Sequence, residues 1–273
     1  MGRTISVSPA RRLVAELMVH AKRIPFVGVS KKMNLGDLIQ LRQSLKSPLS
    51  WQAIFIKAYG LTTVRIPELR QAWIPYPLPR IYEHDHCEAV LPIEREWHGQ
   101  SIVLAARLRA PENMSLTTIH EHLQRYKNDP IQSISSFRQL LRIGRMPWPL
   151  RRFVFSSTLY FSGFKRAKRF GTGMISSLGV FKVESIQAIT AQSHYLSSGG
   201  ITPEGTVIFR LTFDHRLFDG YTAAKCMLAL ESILQNEVKD ELLSLQENQI
   251  RIDKSEFHQN NIPEGNVDHK EVA

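Results

Sequence analysis

Between residues 206 and 213 the side chains alternate: Val207, Phe209, Leu211 and Phe213 fall on one side, Thr206, Ile208, Arg210 and Thr212 on the other. A period of two with one apolar face predicts a β-strand buried on that face. Past Asp219-Gly220 the period lengthens, and Ala223, Cys226, Met227, Leu230, Ile233 and Leu234 recur at helical spacing to about Val238. The same spacing predicts a helix over 10–23, with Leu13, Val14, Leu17, Met18 and Ala21 opposite Arg11, Arg12, Glu16 and His20, ended by Pro25. Further helices are predicted over 34–45, capped by Asn34, over 51–64, closed by Pro67, and over 115–127. Residues 26–33 read as extended. Residues 72–107 hold short apolar runs punctuated by Pro75, Pro77, Pro79 and Gly99, as strands with tight connections do.

Two stretches depart from this regularity. From 131 to 170 there are nine Lys or Arg residues and no Asp or Glu, with partial helical spacing at 134–143 that Pro147 and Pro149 break. Beyond about 250 the chain is polar, contains Pro263-Glu264-Gly265 and lacks periodicity. The expected organisation is therefore an extension at 1–9, one domain over 10–240 carrying the basic, insert-like segment 131–170, and a polar, mobile tail over 241–273.

Composition narrows the class. A chain of 273 residues that is 43% hydrophobic has ample material for a buried core. Cys87 and Cys226 lie far apart without metal-ligand spacing, which argues against a disulfide framework or a structural zinc site and fits a reducing compartment. No apolar h-region follows Met1, so a cytoplasmic location is expected. The longest apolar stretch, 153–164, is interrupted by Ser156, Ser157, Thr158, Ser162 and Gly163 and is too short to span a bilayer.

The chemistry concentrates in Phe213-Asp214-His215-Arg216-Leu217-Phe218-Asp219-Gly220, where the strand gives way to the helix. A histidine held there can act as a general base near neutral pH. Taken alone, the same residues read as a surface histidine, a helix N-cap at Asp219 and a local Asp214–Arg216 ion pair. They do not stand alone. Thr-Phe-Asp-His-Arg-Leu-Phe-Asp-Gly at 212–220 resembles the active-site motif of the 2-oxoacid dehydrogenase E2 acyltransferases, whose strand ends in Ser-Phe-Asp-His-Arg, two apolar residues and Asp-Gly. Three further blocks are similar to that family in the right order: Arg11 to Met18 with Ile24-Pro25, Phe55 to Ala58 through Val64 to Leu69, and Gly171-Thr172-Gly173-Met174-Ile175-Ser176-Ser177-Leu178-Gly179.

The resemblance implies an α/β fold, the two-layer chloramphenicol acetyltransferase-like sandwich of a mixed sheet flanked by helices. It implies a thioester-dependent acyltransferase in which His215 takes the proton of a thiol, Ser176 stabilises the tetrahedral oxyanion, and Asp219 completes the site. Asp219 with Gly220 and Arg11 is assigned to holding the site, with Arg11 aligned to pair with Asp219. Coenzyme A or an acyl-CoA is the implied substrate, a lipoyl group enters only on another chain, and no metal is called for. The family builds its sites between the subunits of a trimer, so a homotrimer or a higher assembly is implied, with His215 and Ser176 from neighbouring chains.

The lipoyl domain, binding domain and Ala/Pro-rich linkers of a full acyltransferase subunit have no counterpart in this sequence, and Met174 stands before Ile-Ser where the family has threonine or a similar residue. The basic segment admits three readings: a solvated face, a footprint for coenzyme A phosphates, an acidic carrier protein or a peripheral membrane contact, or a nucleic-acid surface, for which no motif is present. His84-Asp85-His86-Cys87 offers several ligand atoms but reads as chance surface histidines, as do His120 and His122 on their helix. The alternatives to an enzyme are a non-catalytic trimeric scaffold and a membrane-surface or carrier-binding protein of the same fold.

Overall fold

The computed structural model describes residues 2–4, 6–177, 179, 185 and 189–260, the last nine of these as backbone only. Leu178 of the third motif block and residues 261–273 of the expected tail lie outside the described residues. Nine helices and eight strands follow one another: α1 (Pro9–Ala21), β1 (Phe26–Asn34), α2 (Gly36–Ser44), α3 (Trp51–Arg65), β2 (Gln71–Ile74), β3 (Arg80–Glu83), β4 (Glu88–Trp97), β5 (Gln100–Arg109), α4 (Leu116–Asn128), α5 (Ser135–Arg145), α6 (Trp148–Phe161), α7 (Gly163–Phe170), β6 (Gly173–Ser177), β7 (His194–Ser198), β8 (Thr206–Asp214), α8 (Gly220–Gln235) and α9 (Glu237–Asn260), among the described residues.

Six strands form a mixed sheet in the order β1-β8-β7-β6-β4-β5, and β2 pairs with β3 in a separate ribbon. The sheet is parallel only where β6 meets β4 and β7, and antiparallel elsewhere. The alternation read from 206–213 is realised: Val207, Phe209, Leu211 and Phe213 are all buried. They pack into the main core with α3 and α8, Phe55 of α3 meeting Phe209 edge to face with ring centroids 5.0 Å apart. A smaller cluster joins Leu13 of α1 to Phe155 and Leu159 of α6 and to Ala191.

Local chemistry sets the helix starts. Ser8, Ser50, Ser115 and Ser162 accept backbone N–H groups of the first turns of α1, α3, α4 and α7, and Asp219 does the same for α8. Asn34 serves α2 one residue earlier than expected, its Oδ1 taking the Gly36 N–H at 2.9 Å while Leu35 stands at the cap. His120 does not simply face solvent, because its Nδ1 accepts the Ser50 N–H at 3.1 Å.

The structure corrects the reading of the basic segment. Pro147 stands in the break between α5 and α6 as expected, but Pro149 does not interrupt structure; it occupies the first turn of α6, where a missing N–H costs nothing. Nor is the segment wholly a solvated face. Arg151 and Arg166 are buried. The buried carboxylate of Glu16 in α1 accepts from Arg152 and lies 3.6 Å from Arg151 Nε, tying α6 to α1. The boundary expected at about 240 falls inside α9, which Val238 and Leu242 anchor in the core.

Candidate active site

The turn after β8 is built from below. Between His215 and Asp219 the chain carries two apolar residues, Leu217 and Phe218, and both are buried. Phe218 stacks on Phe213 with centroids 4.6 Å apart, so the turn is plugged into the core by the residues that separate its polar groups. The Leu217 N–H bonds to the Asp214 carbonyl at 3.0 Å and closes the loop.

Asp214, at the end of the strand, is fully buried, and its carboxylate receives three bonds from Arg216: the backbone N–H at 3.1 Å, Nε at 2.9 Å and Nη2 at 2.7 Å. The two-pronged fork fixes the arginine's plane, which also lies over the Trp73 ring. A second guanidinium, Arg166, sits behind it and donates to the carbonyls of Trp73 and Ala191 at 2.8 and 2.9 Å. Burial pulls Arg166 down to about 10, against the pull of Asp214, so it is charged near neutrality. His20, Arg23, Trp73, Tyr160, Arg166 and Arg216 line a cavity of about 40 Å³ beside this turn.

His215 is held by its backbone and presents its side chain to solvent. Its N–H donates to the Pro25 carbonyl at 3.0 Å, its ring meets the edge of Phe213 at 5.9 Å, and the residue is exposed. Asp219 is exposed too, and its carboxylate accepts the Thr222 N–H at 2.9 Å. That bond draws the carboxyl below its usual range. Gly220 begins α8. Arg11 does not reach this group: it borders an open cleft lined also by Val7, Val14, Ser101 and Val103, and the expected Arg11–Asp219 pair is not formed within the chain. Asp219 acts instead as the N-cap of α8.

Ser176 is buried on β6. Strand register gives its distance from His215. Ser176 is opposite Ser197 of β7, which is opposite Arg210 of β8. His215 lies five residues beyond Arg210, so the two groups are separated by roughly 15 Å along the strands and by two strand spacings, about 10 Å, across them. One chain does not bring them together.

Some groups that the sequence reading missed are polar residues inside the core. Tyr59 Oη and His194 Nε2 are 2.8 Å apart, and Ser193 Oγ meets His194 Nδ1 at 3.1 Å. Burial lowers His194 to about 3 and raises Tyr59 well above the usual phenol range. Gly173 makes this possible, since a Cβ there would stand 2.2 Å from both partners. A tyrosine and a histidine far apart in sequence carry no pattern that announces the pair.

His84 also departs from expectation, being buried at 3% exposure rather than lying on the surface, and Cys87 is fully buried. The residue that joins the histidines is Glu88: among the described residues, His84, His86 and Glu88 form a group able to hold a metal ion. The legible signal was the every-second-residue spacing of 84, 86 and 88.

Comparison with known proteins agrees with this architecture. Residues 2–128 match the family of 2-oxoacid dehydrogenases acyltransferase (catalytic domain). The dihydrolipoyllysine-residue acetyltransferase component of the mitochondrial pyruvate dehydrogenase complex of Saccharomyces cerevisiae is 22% identical over 246 residues, 86% of this chain and 47% of that protein. The chain thus spans about half the length of that relative. Among solved structures, the probable dihydrolipoamide acetyltransferase of Listeria monocytogenes superposes with a TM-score of 0.60 at 19% identity, covering 86% of this chain and 94% of that one. The dihydrolipoamide acetyltransferase of Azotobacter vinelandii, studied for the catalytic role of a serine, a histidine and an asparagine four residues after it, superposes with a TM-score of 0.62 at 14% identity, covering 89% and 94%. The truncated catalytic core of the 2-oxoacid dehydrogenase complex of Thermoplasma acidophilum gives 0.60 at 14%, covering 86% and 99%.

Proposed function

We propose that this chain, which carries the fold of the 2-oxoacid dehydrogenase acyltransferase catalytic domain, moves an acyl group between a thioester and a thiol with His215 as general base. The observation that carries the reading is the turn itself: an exposed imidazole on a backbone pinned by Pro25, Asp214–Arg216 and the buried Leu217 and Phe218. The Azotobacter vinelandii enzyme's histidine and asparagine have the spacing of His215 and Asp219.

A thiol is only partly ionised near neutral pH, so a base at the sulfur supplies what the reaction lacks. The S–H proton passes to a ring nitrogen of His215, and the thiolate sulfur attacks the thioester carbonyl carbon. The carbonyl π electrons move to oxygen, where the Ser176 hydroxyl of a neighbouring chain donates a hydrogen bond to the oxyanion. Collapse of the intermediate breaks the bond to the leaving sulfur, which takes the proton from the imidazolium. The separation of Ser176 from His215 within one chain supports a site shared between copies, as in a homotrimer. Asp219 holds the turn by capping α8 and moves no proton. Coenzyme A fits the role of one thiol, and dihydrolipoamide on another chain or domain that of the other.

The test is transfer from a panel of acyl-CoAs to dihydrolipoamide by the wild type and by His215→Ala. Turnover of at least one donor by the wild type and a loss on the order of a hundredfold or more in the variant is expected. Equal rates for the two proteins would remove His215 from the chemistry.

A second reading rests on α6 and α7, where Trp148, Phe153, Phe161 and Phe164 are exposed beside Arg145, Lys165 and Lys168. Apolar side chains interleaved with cations suit an anionic membrane surface or an acidic carrier protein. No helix among the described residues is long and apolar enough to cross a membrane. Sedimentation with anionic vesicles that is lost at high salt would support peripheral contact; no sedimentation at low salt would remove it.

A further inference from the structure

We propose that His84, His86 and Glu88 form a binding site for one divalent transition-metal ion of the zinc type. His84 and His86 lie in the bent connection between β3 and β4, and Glu88 opens β4, while Cys87 between them is buried in the core. One ligand atom from each lies within 4.8 Å of the others. Metal–nitrogen and metal–oxygen bonds of about 2.0–2.1 Å require the ligands to be somewhat closer, which modest side-chain rotation supplies. Two imidazoles and a carboxylate are a donor set for zinc and its neighbours, and three protein ligands leave a fourth position for water.

The surroundings are those of a held site. His84 is 3% exposed, and its Nδ1 lies 3.0 Å from the Tyr82 hydroxyl, which orients the ring and leaves Nε2 for the ion. Arg70 donates to the backbone carbonyls of His84 and Asp85 at 3.1 and 2.6 Å. Glu88 is fixed through Thr172, whose N–H and Oγ1 bond its backbone at 2.9 and 3.1 Å.

His86 carries the strongest indication. Its Nε2 lies 3.1 Å from Glu88 Oε1 and 3.0 Å from Arg109 Nε. The first contact needs a proton on Nε2 and the second needs a lone pair, so no single protonation state satisfies both. A cation on the Nε2 lone pair and the carboxylate replaces the first contact and displaces the second. Arg109 stands opposite Glu88 in the β4–β5 ladder, and its side chain is 75% exposed, so it can swing into water when an ion enters. Arg109 is therefore a cationic placeholder that competes with the metal.

The test uses tag-free, full-length protein stripped with a chelator and then titrated with Zn²⁺ by calorimetry and with Co²⁺ by visible absorption. Saturable binding of one ion per chain is expected, with the d–d bands of a low-coordinate Co²⁺ site and a raised melting temperature. His86→Ala, at a partly exposed position, should weaken binding at least tenfold while the metal-free protein melts as the wild type does. Arg109→Met should tighten binding, a result that a mere histidine–arginine–carboxylate network does not give. The proposal is overturned if neither the wild type nor Arg109→Met binds one ion per chain, or if His86→Ala and Glu88→Gln bind as the wild type does. None of these readouts depends on acyl transfer.

Discussion

The carboxylate of Asp214 and the guanidinium of Arg216, two residues apart, clasp each other across the turn that presents His215. Because the carboxylate is fully buried and the arginine is partly exposed, the pair is asymmetric. Removing the arginine strands a buried charge. Arg216→Ala is expected to lower stability by on the order of 3 kcal/mol, read as the shift in a urea unfolding midpoint. Arg216→Lys should restore only part of it, since an ammonium cannot reproduce the fork.

His215 and Ser176 give a prediction that separates a shared site from two unrelated residues. Each variant, His215→Ala and Ser176→Ala, should lose acyl transfer by on the order of a hundredfold or more. Coexpressed in equal amounts and assembled at random in a cyclic trimer, they should recover about a quarter of wild-type activity, because one junction in four pairs an intact histidine with an intact serine. Absence of recovery, with mixed assemblies demonstrated by mass spectrometry, would remove the shared site.

His194 sets a pH dependence. Its folded value of about 3 lies below the ordinary histidine value of 6.5, so between these pH values the unfolded chain binds the proton and the folded one does not. Stability from this group is complete above about pH 6.5 and declines as the pH falls toward 3, by on the order of 4 kcal/mol. Urea midpoints at pH 7 and pH 4 should differ less in His194→Asn than in the wild type. Equal differences would mean that His194 is protonated where it sits.

Gly173 is the spacer for that histidine. A methyl group there would collide with the Tyr59 hydroxyl and His194 Nε2, both confined by the core. Gly173→Ala is expected to cost at least about 2 kcal/mol, measured by thermal or urea unfolding. Gly2→Ala, with nothing near its Cβ, serves as the neutral control.

The legible parts of the fold were those in which one physical signal acted alone. The strand ending at Asp214 combines strict alternation with a single buried face, and the helix after it begins at a side chain that caps it, so both could be read from the residues. In α6 the signals conflict. Phe155 and Leu159 are buried while Phe153 and Phe161 face outward, which erases the helical period, and Pro149 reads as a breaker until its place in the first turn is known. In α9 the apolar residues Val238, Leu242 and Leu245 are spaced for one helix face but are diluted by polar neighbours. The site divides the same way. His215 and Asp219 are close in sequence and could be read together. The partner of Asp214 was visible two residues away. The absence of an Arg11–Asp219 contact and the Tyr59–His194 bond depend on how elements distant in sequence pack, which local spacing does not encode.

The two cysteines acquire a meaning beside the proposed chemistry of thioesters. Cys87 and Cys226 are both buried, and burial pushes the first thiol far above its usual range and the second to about 12. Neither offers a thiolate at the surface. Under the proposed acyl transfer, a reactive donor would meet no exposed cysteine able to intercept it, and self-acylation on cysteine is opposed by packing rather than by the removal of cysteine from the sequence.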